Sequence, residues 1–212
     1  MKKLLIGMLL LSGLGSFSAC KDASKIPAPE VTSVPLISPV ASPDPEKDHF
    51  DQQRAAASVD GLPSLPNPTR PVFEFTFDIP DQRDIQLRTV EVYKSFQRGN
   101  NIGPRVLAGS YSSFPARVSI NSQDALTGLQ RLYTSAGLAI VTPLLGVNSA
   151  ARNQVLSGDR IVFTFEYVLQ DGSRVILTPL ADVKLASGGT VKVISGNQVN
   201  PPYSIYGRIF VR

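Results

Sequence analysis

The chain has 212 residues, of which 42% are hydrophobic and 18% charged, with a formal net charge of +4, one cysteine, one histidine and no tryptophan. A single thiol allows neither an internal disulfide nor a cysteine-based zinc site, so the hydrophobic core alone must stabilise the fold. The basic residues are scattered singly along the chain, which argues against a nucleic-acid partner.

The start of the chain predicts export and a lipid anchor. Residues 1–19 have the layout of a secretory signal peptide, with two lysines, an apolar run too short to span a bilayer, and small residues. The sequence "FSAC", which ends at Cys20, resembles the lipobox of bacterial lipoproteins, with Phe17 in place of the commoner Leu. The resemblance implies that the chain is cut before Cys20 and that this residue carries acyl chains, which hold it on a membrane. The alternative is an ordinary secretory signal in which Cys20 is incidental.

The next segment is rich in proline. Ten prolines follow Cys20 before residue 72, and proline both removes amide donors and disfavours helix in the residue before it. We therefore predict a lipid-anchored, disordered tether over 20–71, followed by one domain over 72–212. A short helix over 48–58, which contains His49, is the one element expected within the tether.

Beyond the tether, apolar and polar residues alternate as they do in half-buried strands. Phe73, Phe75 and Phe77 fall on one face of the first such run, and Asp171-Gly172 separates two apolar runs as in a β-hairpin. The runs with this pattern cover residues 72–79, 88–96, 105–111, 114–121, 160–179 and 204–212.

One stretch has helical spacing instead. Over 121–137, Leu126, Leu129 and Leu132 recur on one side, and Asn121 or the serine after it is the expected N-cap. Short strands with turns between them and one crossing helix predict an all-β fold, a single antiparallel immunoglobulin-like β-sandwich. A barrel is the alternative.

Three stretches carry a family resemblance: "VFEFTFDIPDQRDIQLRTVEVYKSF", "PRVLAGSYSSFPARVSI" and "GDRIVFTFEYVLQDGSR". From Val72 to about Pro179 the chain resembles a module found in Bacteroidota cell-envelope lipoproteins. The resemblance implies an immunoglobulin-like sandwich, a place in the outer membrane, and an association with nutrient-uptake systems of the glycan-utilisation type. Lys21-Asp22 only partly resembles the Lys-acidic-acidic export signal of such lipoproteins, so the side of the membrane that the protein faces is left open.

The residues offer little for catalysis. A nucleophile usually needs a histidine as its base, and the only histidine, His49, is expected in the tether, so we predict no catalytic residue. Paired carboxylates are the remaining possibility, for example Glu74 with Glu91 or Glu166. Their position on the polar phase of strands favours an ordinary solvated face.

Asp78, Asp81 and Asp84 are weak candidates for a calcium site, because carboxylates on a loop at the end of a strand can bind this ion. They lack the glycine and terminal glutamate of a known calcium loop, so a plain turn is the favoured interpretation. We predict no metal and no other cofactor.

Aromatic side chains are the remaining candidates for ligand binding, since sugars commonly stack on exposed rings. Tyr93 and Tyr206 are the candidate ligand-binding residues, and Tyr111 and Tyr203 are weaker ones. The competing interpretation is that these tyrosines pack in the core or at its rim.

The sequence thus predicts a membrane-anchored lipoprotein without enzymatic activity, whose sandwich is an interaction module for another envelope component. The expected partners are the membrane, through lipid on Cys20, and an envelope protein or a glycan. The alternative is a glycan-binding accessory lipoprotein of an outer-membrane uptake system, and an enzyme using only carboxylates ranks third.

Overall fold

A computed structural model describes residues 33–52, 54–55, 70–81, 84–144, 154–195, 202 and 204–211, all within one compact unit, Ser33–Arg212. The predicted signal peptide, Cys20, Lys21-Asp22 and Tyr203 lie outside the described residues, as do 21–32 and 56–69 of the predicted tether.

The described residues include fourteen strands and a short helix, besides the helical residues Gln52, Arg54 and Ala55. In chain order these are β1 Ser38–Ala41, β2 His49–Asp51, β3 Val72–Asp78, β4 Leu87–Arg98, β5 Asn101–Ile102, β6 Val106–Tyr111, β7 Ala116–Asn121, α1 Ser122–Leu126, β8 Gln130–Ser135, β9 Leu138–Pro143, β10 Arg160–Leu169, β11 Arg174–Ile176, β12 Leu180–Lys184, β13 Thr190–Ile194 and β14 Ser204–Phe210. The predicted all-β fold is confirmed, and each of the six runs with strand periodicity contains at least one strand.

Two sheets form a sandwich. The small sheet has the order β1-β3-β7, and the large sheet has the order β2-β14-β10-β4-β5, with β6 also paired to β4 and β11 to β10. This division of β1, β3 and β7 from β4, β10 and β14 matches the A-B-E and C-F-G groups of an immunoglobulin-like sandwich. The pair β2-β14 is parallel, whereas the other strand pairs among the described residues are antiparallel.

Phenylalanine rings fill the space between the sheets. Phe75 of β3 has its ring centroid 5.2 Å from that of Phe163 of β10, and Phe77 lies 5.3 Å from Phe165. These rings are at most 1% exposed. Because alternate residues of a strand point to opposite faces, the period-two pattern in the sequence places these side chains between the sheets.

The predicted tether was wrong over its described part. β1 pairs with β3 in the small sheet, and β2 then pairs with β14 in the large sheet, so one segment supplies an edge strand to each. Ile37 and Phe50 are 1% and 0% exposed in the main core. Proline is compatible with an edge strand where its missing N–H points away from the neighbouring strand, which is why the composition hid this strand. The domain therefore begins by Ser33 rather than at residue 72.

The predicted helix over 48–58 was also wrong at its start. His49 lies in strand β2, and among the residues described there only Gln52, Arg54 and Ala55 are helical. Burial of Phe50 beside Phe73, with ring centroids 5.8 Å apart, holds this stretch in the sheet.

The predicted helix over 121–137 is only one turn long. α1 begins after Asn121, whose side chain accepts a hydrogen bond from the Asp124 amide, and it ends at Leu126. Gly128 then takes a φ of +76°, which glycine adopts without strain. Residues 130–135 form β8, which pairs with β9 through a turn at Ala136-Gly137, where both φ values are positive as in a type I′ hairpin.

Candidate functional site

A cleft of about 590 Å³ opens where the N-terminal segment passes from one sheet to the other. β2 pairs with β14 only from Arg208 to Phe210, so among the described residues no strand covers that edge of β14 between Ser204 and Gly207. Val40 of β1, His49 of β2, and Tyr206, Arg208 and Phe210 of β14 line the cleft. Val40 is 58% exposed and Phe210 36%, so the cleft offers apolar contact surface to solvent.

His49, which the sequence predicted to lie in a disordered tether, lies in strand β2 and lines the cleft. Its ring stacks on Phe210 at a centroid distance of 4.3 Å, and its Nδ1 lies 2.6 Å from Oδ1 of Asp48. Among the described residues no hydroxyl or thiol bonds to His49, so the cleft contains an Asp-His pair without an adjoining nucleophile.

Tyr206 lies at the boundary between the cleft and a second apolar cluster. Its ring packs against the cluster that contains Val162 and Ile194, and the guanidinium of Arg160 lies 4.6 Å from the ring centroid. Arg208 donates a hydrogen bond to the phenol oxygen at 3.3 Å, and this bond is the main cause that lowers the pKa of Tyr206. The ring is thus already packed and paired with cations, which leaves less of it for stacking on a sugar.

Tyr93 belongs to a separate charged network on the outer face of the large sheet. Its hydroxyl donates to Oε2 of Glu91 at 2.7 Å, and Arg105 lies 4.4 Å above its ring centroid. Burial is the main cause that raises the pKa of Tyr93, and the hydrogen bond to Glu91 is the second. Like Tyr206, Tyr93 has a guanidinium over its ring.

Two of the three candidate carboxylates meet in this network. Glu91 of β4 and Glu166 of β10 are directly opposite in register. Arg174 bonds both, and Arg105 bonds Glu166, which is 3% exposed. The hydrogen bond from Arg174 is the main cause that lowers the pKa of Glu91. Each carboxylate is therefore neutralised by arginine, which suits a structural ion-pair network better than acid-base work.

Glu74 is not part of the pair. It lies on β3 in the small sheet, and Arg117 of β7 donates to its Oε1 at 2.6 Å. The predicted solvated face was wrong for Glu74 and Glu166, which are 8% and 3% exposed.

The three candidate calcium ligands do not converge. Asp78 accepts from the amide of Ile79 at 2.8 Å, and Asp84 accepts from the amide of Ser33 at 2.9 Å. Within the described part of the chain, which includes Asp81, no three His, Cys, Asp or Glu side chains form a group that can hold a metal ion.

Tyr111, the weaker aromatic candidate, packs edge-on against Phe77 with ring centroids 5.5 Å apart. It therefore belongs to the rim of the main core, as the competing interpretation held. Among the predicted ligand-binding residues that the structure describes, only Tyr206 lines the cleft. His49, Arg208 and Phe210 were missed because the cleft exists only where β1, β2 and β14 meet.

No protein-family model matches the chain, and neither does any curated protein or solved structure. In the described ranges, no helix has the length and apolar character needed to cross a membrane.

Proposed function

We propose that the protein is a membrane-anchored bacterial lipoprotein whose β-sandwich is a non-enzymatic interaction module for another protein of the cell envelope. Acylated Cys20 holds it to the membrane, and the cleft beside β1 and β14 receives the partner. This proposal places the contact at a sheet edge and not at a catalytic centre.

The exposed apolar lining of the cleft is the observation that carries the proposal. Val40 and Phe210, which both line the cleft, are 58% and 36% exposed. Large apolar side chains grouped on a surface favour a contact with another protein. Arg208 and the Asp48-His49 pair add polar groups at the same place, which can give the contact specificity.

Site-specific photocrosslinking in intact cells tests the proposal. A photoreactive residue replaces Phe210 in the full chain, and the control replaces Leu107, which is 51% exposed on β6. We expect one protein adduct at position 210 that is absent at position 107 and is lost when Arg208→Glu is added. Identical adducts at both positions, or none at position 210, would contradict the proposal.

The glycan-binding alternative makes a different prediction for the same protein. Sugar binding through the cleft requires Tyr206, so titration of the purified protein with a polysaccharide panel separates the two functions. Micromolar binding that Tyr206→Ala abolishes and Tyr133→Ala on β8 leaves unchanged would favour the glycan ligand over the protein partner.

A further inference from the structure

The segment that leads into β1 presents an apolar stripe to solvent. Val34, Leu36 and Val40 are 36%, 58% and 58% exposed, whereas Ile37 between them is 1% exposed. Because side chains alternate between the two faces of an extended strand, the even-numbered residues share the outward face. We call Val34, Leu36 and Val40 the β1 stripe.

The rest of this sheet face is polar. Thr76 of β3 is directly opposite Val40, Asp78 is opposite Ser38, and Arg117 of β7 is opposite Thr76. β3 and β7 thus show the usual pattern of polar residues facing water, and the outward face of β1 departs from it. The apolar exposure of this face is concentrated on the strand nearest the predicted anchor.

The free edge of β1 is poorly suited to pairing with another strand. The amide of Ser42 donates to the Glu74 carbonyl at 2.9 Å, and backbone groups alternate between the two sides of a strand. The N–H positions of residues 37, 39 and 41 therefore point away from β3, and residue 39 is a proline without an N–H. Without an N–H at residue 39, another strand could not form a continuous set of hydrogen bonds along the free edge of β1. A contact at β1 must therefore be made through side chains.

The anchor is close to the stripe along the chain. The backbone N–H of Ser33 donates a hydrogen bond to the Asp84 carboxylate at 2.9 Å, which fixes this residue to the domain. Ser33 follows Cys20 by only 13 positions. Even fully extended, that many residues span at most about 45 Å. The stripe begins at the next residue, Val34.

We propose that the β1 stripe rests on the lipid surface in which Cys20 is anchored, so that the sandwich lies against the membrane. This inference rests on the lipid anchor of the proposed function. A few aliphatic side chains bind a bilayer weakly by themselves, but an anchor within this distance keeps the local concentration of lipid high, and a weak contact is then occupied. Val40 belongs to both the β1 stripe and the lining of the cleft, so a partner that enters the cleft meets the protein at the membrane surface.

Fluorescence quenching in vesicles tests the position of the stripe. Leu36→Cys is labelled with an environment-sensitive fluorophore in the mature lipidated protein. This protein is reconstituted in vesicles of phosphatidylethanolamine and phosphatidylglycerol that contain a nitroxide lipid. Cys20 is the only natural cysteine, and its thiol is consumed by lipidation, so only the introduced thiol reacts. Leu107→Cys, at 51% exposure on β6, is the matched control.

We expect quenching at position 36 to exceed that at position 107 several-fold, and to fall toward the control when Val34→Ser and Val40→Ser are added. Equal quenching at both positions, in protein that cofloats with the vesicles, would overturn the membrane contact and leave the anchor intact. If Cys20 itself reacts with the dye and the protein fails to cofloat, the anchor is wrong and the inference falls with it. An unchanged thermal midpoint for each variant shows that the sandwich is folded.

Discussion

The hydroxyl of Tyr167 donates a hydrogen bond to the carbonyl oxygen of Pro35 at 3.0 Å, within the protein interior and across 132 positions of the sequence. Tyr167 is fully buried on β10, and burial raises the pKa of its phenol far above the usual range. This bond ties the N-terminal segment to the centre of the large sheet.

Removal of this hydroxyl should weaken the fold. Tyr167→Phe keeps the ring but leaves the buried Pro35 carbonyl without that donor, which costs about 1–2 kcal/mol of unfolding free energy. Urea denaturation measures the change, and Tyr133→Phe on the half-buried strand β8 is the control. Equal stability of Tyr167→Phe and the wild type would show that the segment is not held in this way.

The N-terminal segment should be required for folding. A chain that begins at residue 67 loses β1 and β2, and with them the buried side chains of Ile37 and Phe50. We expect it to lack the cooperative thermal transition and fixed near-ultraviolet circular dichroism of a chain that begins at Ser33. A cooperative transition at the same temperature in both chains would show that the domain begins near residue 72, as the sequence predicted.

Gly207 should tolerate no side chain. A Cβ atom at this position would lie 2.8 Å from Cε2 of Phe50 and 3.0 Å from Cγ of Phe73, so Gly207→Ala forces two buried rings apart. Overpacking of this kind costs about 1–3 kcal/mol. Gly189→Ala, where the nearest atom is 3.9 Å away, should leave the urea midpoint unchanged.

The same contact predicts a specific rescue. Phe50→Leu removes the ring atom nearest to the added Cβ, so the double variant with Gly207→Ala should be more stable than the sum of the two single effects predicts. If the two effects on stability simply add, the clash with Phe50 is not what destabilises Gly207→Ala.

Acid should weaken the network around Glu91. The hydrogen bond from Arg174 holds the pKa of this carboxyl below its ordinary value of 4.5. A depressed pKa gives stability that is present above the unfolded value and is lost as the pH falls through the folded value. Urea midpoints should therefore drop below about pH 4.5, and Arg174→Gln should make this drop smaller.

An exposed ion pair is the control for that experiment. Lys192 and Asp182 lie 3.1 Å apart with side chains 68% and 61% exposed, and such pairs contribute little. Lys192→Gln should keep the acid dependence of the wild type. A curve for Arg174→Gln that parallels the wild type would mean that Glu91 is not the group responsible.

The lipid anchor should depend on a single thiol. Cys20→Ala removes the only site that can accept the diacylglyceryl group, so the protein should move from the membrane fraction to the soluble fraction and lose metabolic lipid label. Ser18→Ala, which keeps a small residue, is the control. A Cys20→Ala protein that stays in the membrane fraction would refute the anchor.

The sequence by itself determined the strands with clear alternation. Phe73, Phe75 and Phe77 occupy every second position, and a strand places such residues on one face whatever its neighbours are. Asp171-Gly172 likewise sets its turn locally, with Gly172 at a φ of +84°. These features depend on the chain within a few residues, and they were enough to indicate an all-β sandwich.

Only the tertiary structure decided the role of the proline-rich segment and the position of the cleft. Ile37 and Phe50 become core residues because β1 and β2 pair with β3 and β14, which come later in the chain, and no local sequence pattern indicates those pairings. The position of His49 against Phe210, and the pairing of Glu91 with Glu166, follow from strand register in the same way. Register is set by long-range packing of the two sheets, which is why the sequence revealed the strands but not the site that they build together.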